Sequence, residues 1–152
     1  MSTTVTIPEG FQYVGAALLS TTILLFTQNS LVSRHRKKAG IEYPQMYAEK
    51  AQADSSREAY QFNCAQRAHQ NTLENIPILF TTSLLSGLQF PIPTAIATAL
   101  WTVSRFSYTF GYIKDPKKRG TLMYILGQIG QLGMIVGSLY VAGNWLLAGF
   151  RK

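Results

Sequence analysis

Two short runs of this sequence hold side chains able to do chemistry. In CAQRAHQNTLE, residues 64–74, a strong base (Arg67), an amide (Asn71) and a carboxylate (Glu74) recur four and three residues apart, with Ile78 four further on. On a helix these positions share one face. In RFSYTFGYI, Arg105, Tyr108 and Tyr112 repeat at i, i+3 and i+7, again one face, and Arg119 follows. Guanidinium groups and phenols hold carboxylates, arginine in a bidentate way that lysine lacks. Glu74 adds an acceptor to these donors. The two faces together suit a hydrophilic anion that also carries an amino group. At about 1.5 Å of rise per residue, Arg67 and Glu74 stand about 10 Å apart along the axis. They are therefore not expected to neutralise each other. That separation suits the two ends of an elongated zwitterion, or two different neighbouring helices.

Other chemistries find no support. The sequence has no Walker loop, no dinucleotide glycine fingerprint and no HExxH pair. Glu74 and Asp115 are the only acids near the polar faces of the second and third helices, so no paired-carboxylate site is expected, and nothing marks a Ser/His/Asp triad. The single Cys64 gives neither an internal disulfide nor a metal-ligand set, so no metal is expected.

The elements that carry these faces follow from the charge distribution. The 152 residues suit a single domain, with 47% hydrophobic and only 14% charged residues. Asp, Glu, Lys and Arg are absent from 10–33, 75–104 and 120–150. Despite a mean hydropathy of only +0.06, such long uncharged segments indicate a membrane protein, because a bilayer core needs roughly 20 apolar residues per helix. The expectation is all-α: a single integral membrane domain, with a four-helix bundle of transmembrane helices near 12–32, 66–88, 94–113 and 121–148. The first is too long in its apolar run, and lacks preceding basic residues, to be a cleaved signal peptide. Arg34, Arg36, Lys37, Lys38, Lys50 and Arg57 fall in the first connection, and Lys114, Lys117, Lys118 and Arg119 in the third. By the positive-inside rule these loops are cytoplasmic, and only Arg151 and Lys152 lie on the other side. A net charge of +7 held in two loops that border spans argues against nucleic acid as a partner.

In this topology the second helix leaves the cytoplasmic side and the third returns to it. The Arg67/Asn71/Glu74 and Tyr108/Tyr112/Arg119 groups are then level, and Arg36 and Lys37 reach the same shelf. Intramembrane ionisable groups face the bundle or a wet cavity, yet polar residues at such places also serve as glue between helices. Both readings stand on the residues alone. Tyr108 and Tyr112 taken singly fit an aromatic belt. His69 falls off the Arg67 stripe and reads as an interface or core histidine. Cys64 reads as an inert thiol, with palmitoylation as an option. Pro77 should bend its helix, and Gly130, Gly133 and Gly137 should give the last helix a close-packing face.

The runs IEYPQMYAE (41–49), FNCAQRAHQNTLE (62–74) and RFSYTFGYIKDPKKRG (105–120) together resemble the type-3 microsomal glutathione S-transferases. These belong to the membrane-associated proteins in eicosanoid and glutathione metabolism. The resemblance implies a homotrimer with glutathione as co-substrate between subunits, and an apolar electrophile or lipid hydroperoxide met from membrane lipid. It implies glutathione contacts at Arg67, His69, Asn71, Glu74, Arg105, Tyr108 and Tyr112. It further implies thiolate stabilisation by Arg119 and a catalytic or substrate-positioning role at Arg36 and Lys37. Lys37, where the leukotriene-conjugating relative has arginine, and Asn75, where it has tyrosine, are departures that favour the type-3 branch. The endoplasmic reticulum or outer mitochondrial membrane is carried by the same resemblance. A lipid-presenting scaffold without catalysis is the main rival. A channel is disfavoured, because the polar residues stop near mid-membrane.

Overall fold

The structure, a computed structural model, describes residues 6–150, so Arg151 and Lys152 lie outside the described residues. Its elements are α1 (Phe11–Ala39), α2 (Lys50–Ser55), α3 (Arg57–Gly87), α4 (Pro91–Lys114), a 3-10 turn (Pro116–Arg119) and α5 (Leu122–Phe150). No strand occurs among the described residues.

Local chemistry accounts for the boundaries. Gly40, at φ 63°, closes α1 by donating its N–H to the carbonyls of Arg36 and Lys37. Only glycine adopts that left-handed turn at little cost. Arg36, Lys37 and Lys38 occupy the last turn, where cations favour the helix dipole. A single extended residue, Ser56, separates α2 from α3, and its hydroxyl caps the new helix by accepting from the Ala59 N–H at 3.2 Å. α3 then continues for 31 residues without a break at Pro77. Pro91 at the first turn of α4 is tolerated because that N–H has no helical partner in any case. At the other end, a Cβ on Gly111 would meet the Lys118 carbonyl at 2.6 Å. Glycine there lets the 3-10 turn fold back on α4.

α3 and α4 form the centre, with α1 packed on both from one side and α5 on both from the other. The pattern is polar within and apolar without. Thr21, Gln28, Thr72, Ser83, Thr98, Ser104 and Thr109 are buried between helices, whereas Leu19, Ile23, Phe26, Leu132, Val136 and Leu139 are exposed. Small hydroxyl residues at helix contacts with large apolar ones outside suit a lipid surround, where burial of apolar surface between helices gains little. α1 and α5 are each long and apolar enough to cross a membrane.

The small-residue face of α5 differs from expectation. Its buried stripe runs Gly127, Gln131, Met134, Ser138 and Val141. Added Cβ atoms would meet Ala97 at 3.4 Å from Gly130, and the Ser86 hydroxyl at 2.5 Å from Gly137. One on Gly127 would collide with the Ser104 side chain. Gly133 lies one residue off that stripe, is exposed and would meet nothing within 4 Å. The close-packing glycines are therefore Gly127, Gly130 and Gly137.

Candidate functional site

The 31 residues of α3 put Arg67, Asn71 and Glu74 on one face, and α4 brings Arg105, Tyr108 and Tyr112 against it. Arg105 is the joint between the two. It is 1% exposed, and its terminal nitrogen donates to both the backbone carbonyl and the side-chain Oδ1 of Asn71, each at 2.8 Å. The guanidinium lies 5.2 Å from the Trp101 ring and 5.0 Å from the Tyr108 ring. Its Nε–H has no partner among the described residues, and no carboxylate comes within 4.0 Å. A buried cation without an anion is costly. The two rings and Asn71 offset part of that cost.

From Arg105 the aromatics continue outward. Tyr108 stacks on Tyr124 at 5.2 Å and tilts against Tyr112 at 5.5 Å. Arg119, in the 3-10 turn, lies 6.0 Å from the Tyr112 ring. On the α3 side Arg67 and Glu74 form an ion pair at 3.0 Å, each side chain a little under half exposed. This corrects the expectation that two turns of helix would keep them apart. Axial rise ignores side-chain reach: Cα–Cβ bonds tilt toward the helix N-terminus, so Glu74 leans toward Arg67, and the long arginine closes the rest. An Arg/Glu pair in contact is complementary to one α-amino-acid end, with ammonium beside carboxylate, rather than to two distant ends.

Other expected residues stand elsewhere. The His69 Nδ1 lies 3.3 Å from the Oε1 of Gln28, a buried residue of α1. The Gln28 amide nitrogen donates to Thr72 at 2.8 Å and to Thr109 at 2.7 Å. Both threonines donate onward to backbone carbonyls of Ala68 and Arg105. That leaves the Gln28 oxygen as the acceptor and the proton on His69 Nδ1, so the network is satisfied and ties α1, α3 and α4 together. Lys37 is exposed at the end of α1. Arg36 is buried within the α1–α2 connection, where it donates to the Gln45 carbonyl at 2.6 Å. Cys64 is buried, on α3 before the expected span, and burial pushes its thiol up to about 11, against a smaller downward pull from the Tyr60 hydrogen bond.

A family model, the MAPEG family, matches residues 14–140. The chain belongs to the MAPEG family. That family includes membrane glutathione transferases and eicosanoid enzymes, and its proteins use glutathione as a substrate. With its polar interior and the two apolar helices α1 and α5, this MAPEG chain is a membrane protein. Among the described residues there is no group of three or more His, Cys, Asp or Glu side chains placed to hold a metal.

Four residues that take part in this arrangement escaped the sequence reading. Tyr124 and Gln28 sit singly in apolar helices, and their neighbours are residues far along the chain. Tyr47 and Gln70, joined by a hydrogen bond, belong to a connection and to a face beside the Arg67 stripe. No spacing rule marks any of them.

Proposed function

We propose that this MAPEG chain is a membrane-bound glutathione transferase, with glutathione-dependent peroxidase activity toward lipid hydroperoxides. The observation that carries the reading is Arg105, a buried guanidinium with an unused donor and no anionic partner among the described residues, set between the rings of Trp101 and Tyr108. Such a group is explained by an anionic ligand. Glutathione supplies two carboxylates, an ammonium and a thiol. Its γ-glutamyl end matches the half-exposed Arg67–Glu74 pair, ligand carboxylate on Arg67 and ligand ammonium on Glu74, with Asn71 adding an amide contact. Arg105, Tyr108 and Tyr112 would then take the second carboxylate.

The thiol of free glutathione resembles that of cysteine, with a pKa of about 8.5, and a nearby cation lowers it. Arg119 is the candidate, because it follows the tyrosine face and extends beyond Tyr112. A shift of one or two units requires roughly 1.4–2.7 kcal/mol of differential stabilisation. The thiolate attacks an apolar electrophile, forming the thioether and expelling its leaving group. With a lipid hydroperoxide it attacks the peroxide oxygen, giving the lipid alcohol and a sulfenic acid, which a second glutathione converts to the disulfide and water. α3 and α4, packed alongside α1 and α5, complete four spans, with loops 1 and 3 cytoplasmic in the endoplasmic reticulum or outer mitochondrial membrane. The exposed apolar face of α1, with a groove of about 480 Å³ lined by Ile23, Phe26, Leu31 and Arg34 among others, suits contact with a second copy in a homotrimer.

One observation favours the scaffold reading. Arg67 and Arg105 already have partners inside the chain, as glue between helices would. Purified protein in detergent, assayed with glutathione and either a reactive aryl halide or a lipid hydroperoxide, separates the two. Turnover supports the transferase. Lipid binding with no glutathione-dependent turnover assigns the chain to a scaffold.

A further inference from the structure

The start of α5 is fixed against α4 at two points, one on either side of Tyr124. The Thr121 and Ser107 hydroxyls are hydrogen-bonded at 3.0 Å. Thr121 also caps α5, its hydroxyl accepting from the Tyr124 N–H at 3.1 Å. Further along, Gly127 is buried so close to α4 that a Cβ there would collide with the Ser104 side chain and come within 3.4 Å of the Trp101 Cα. Positions three residues apart are neighbours on a helix surface. Tyr124 therefore meets α4 between the Thr121–Ser107 bond and the Gly127–Ser104 approach.

What it meets there is Tyr108. The two rings stack with centroids 5.2 Å apart and 29° between their planes. Tyr108 has two further neighbours at its ring, the Arg105 guanidinium at 5.0 Å and the Tyr112 ring at 5.5 Å, and both belong to α4 itself. Of the three, only Tyr124 comes from another helix. No hydrogen bond among the described residues holds the Tyr108 hydroxyl, so packing around the ring sets its direction. A phenol aimed before the ligand arrives avoids part of the ordering cost of binding. An aromatic pair of this kind carries about a two- to tenfold effect on an equilibrium constant beyond its buried area.

We infer that Tyr124 is a positioning residue for Tyr108: by stacking on its ring, it holds the phenol that donates to a ligand carboxylate. This rests on the glutathione reading above. It brings α5 into the site through one side chain, and it calls on the ring of Tyr124 rather than its hydroxyl. An aliphatic residue of similar size fills the space but offers no flat face against which Tyr108 can align.

The test uses the full chain in detergent, with glutathione affinity by calorimetry and steady-state kinetics toward an aryl halide. Tyr124→Leu should raise Kd and KM for glutathione about two- to tenfold and leave kcat and its pH profile in place. Tyr124→Phe, which keeps the ring, should restore wild-type affinity. Added to Tyr108→Phe, Tyr124→Leu should cost no further affinity, because no hydroxyl is left to aim. Unchanged Kd in Tyr124→Leu overturns the inference. So does a Tyr124→Phe protein as weak as Tyr124→Leu, a shifted pH profile, or the same extra loss in the Tyr108→Phe background. If Tyr124→Leu does not fold, Tyr124→Met puts the same question with a more flexible side chain. Wild-type protein that binds no glutathione removes the functional reading itself, which is a separate result.

Discussion

Replacing Arg105 by methionine distinguishes a ligand site from helix glue. Methionine keeps much of the volume and the apolar contact with Trp101 and Tyr108 while removing the charge. The variant loses two charge-assisted hydrogen bonds to Asn71, both at 2.8 Å, worth about 1.5–3 kcal/mol each. It also sheds the burial of a guanidinium that is 1% exposed, a penalty of several kcal/mol by order of magnitude. Asn71, being only half-buried, recovers water. These opposing quantities leave the ligand-free protein within about 2 kcal/mol of wild type in either direction. Binding has no such compensation. Removing one partner of a buried charge pair costs about 2–5 kcal/mol, or roughly thirtyfold to several thousandfold in affinity. The assay is thermal unfolding in detergent alongside glutathione titration of the same preparation. Near-native stability with lost affinity is expected. A marked loss of stability with glutathione affinity unchanged in the folded fraction would refute the reasoning and make Arg105 glue.

Three further outcomes follow from the packing and the thiol. Gln28→Leu strands the Nδ1–H of His69 and removes two bonds to threonines, so unfolding in detergent should show a loss of about 1–3 kcal/mol; an unchanged midpoint would mean that water replaces the amide. Gly137→Val should lower thermal stability by about 1–3 kcal/mol through its collision with Ser86, whereas Gly133→Ala should leave the midpoint in place; equal effects at both would contradict the assigned stripe. Cys64, with its thiol raised to about 11, should resist alkylation at neutral pH and react only as pH climbs toward that value; labelling at pH 7 as fast as for a free thiol would contradict its burial.

Spacing alone made the two candidate faces legible, because helical periodicity is fixed and the ionisable residues are few. Orientation from the basic loops set those faces level, and in the structure α3 and α4 do meet at Arg105 and Asn71. The Arg67–Glu74 pair was not legible, since axial rise says nothing about how far two long side chains bend toward each other. Arg36 was legible as a cation near the shelf, but the carbonyls and rings that occupy it are made by the fold of the following connection. His69 read as a core residue from its offset, and it does meet Gln28, yet the glutamine was invisible as a single amide in an apolar run. Gly133 matched a pairwise motif, whereas the buried stripe of α5 is set by contacts with α3 and α4 that no local pattern encodes.

The most direct test of the central claim is the ultraviolet thiolate absorbance of glutathione bound to the purified protein at pH 7, compared with Arg119→Ala. Wild type should bind glutathione and show the thiolate band. The variant should bind it with similar affinity, lack the band at pH 7 and regain it, with turnover, as pH rises past about 8.5. A wild-type protein that binds glutathione only as the thiol, or an Arg119→Ala protein with an undiminished band, would contradict the account.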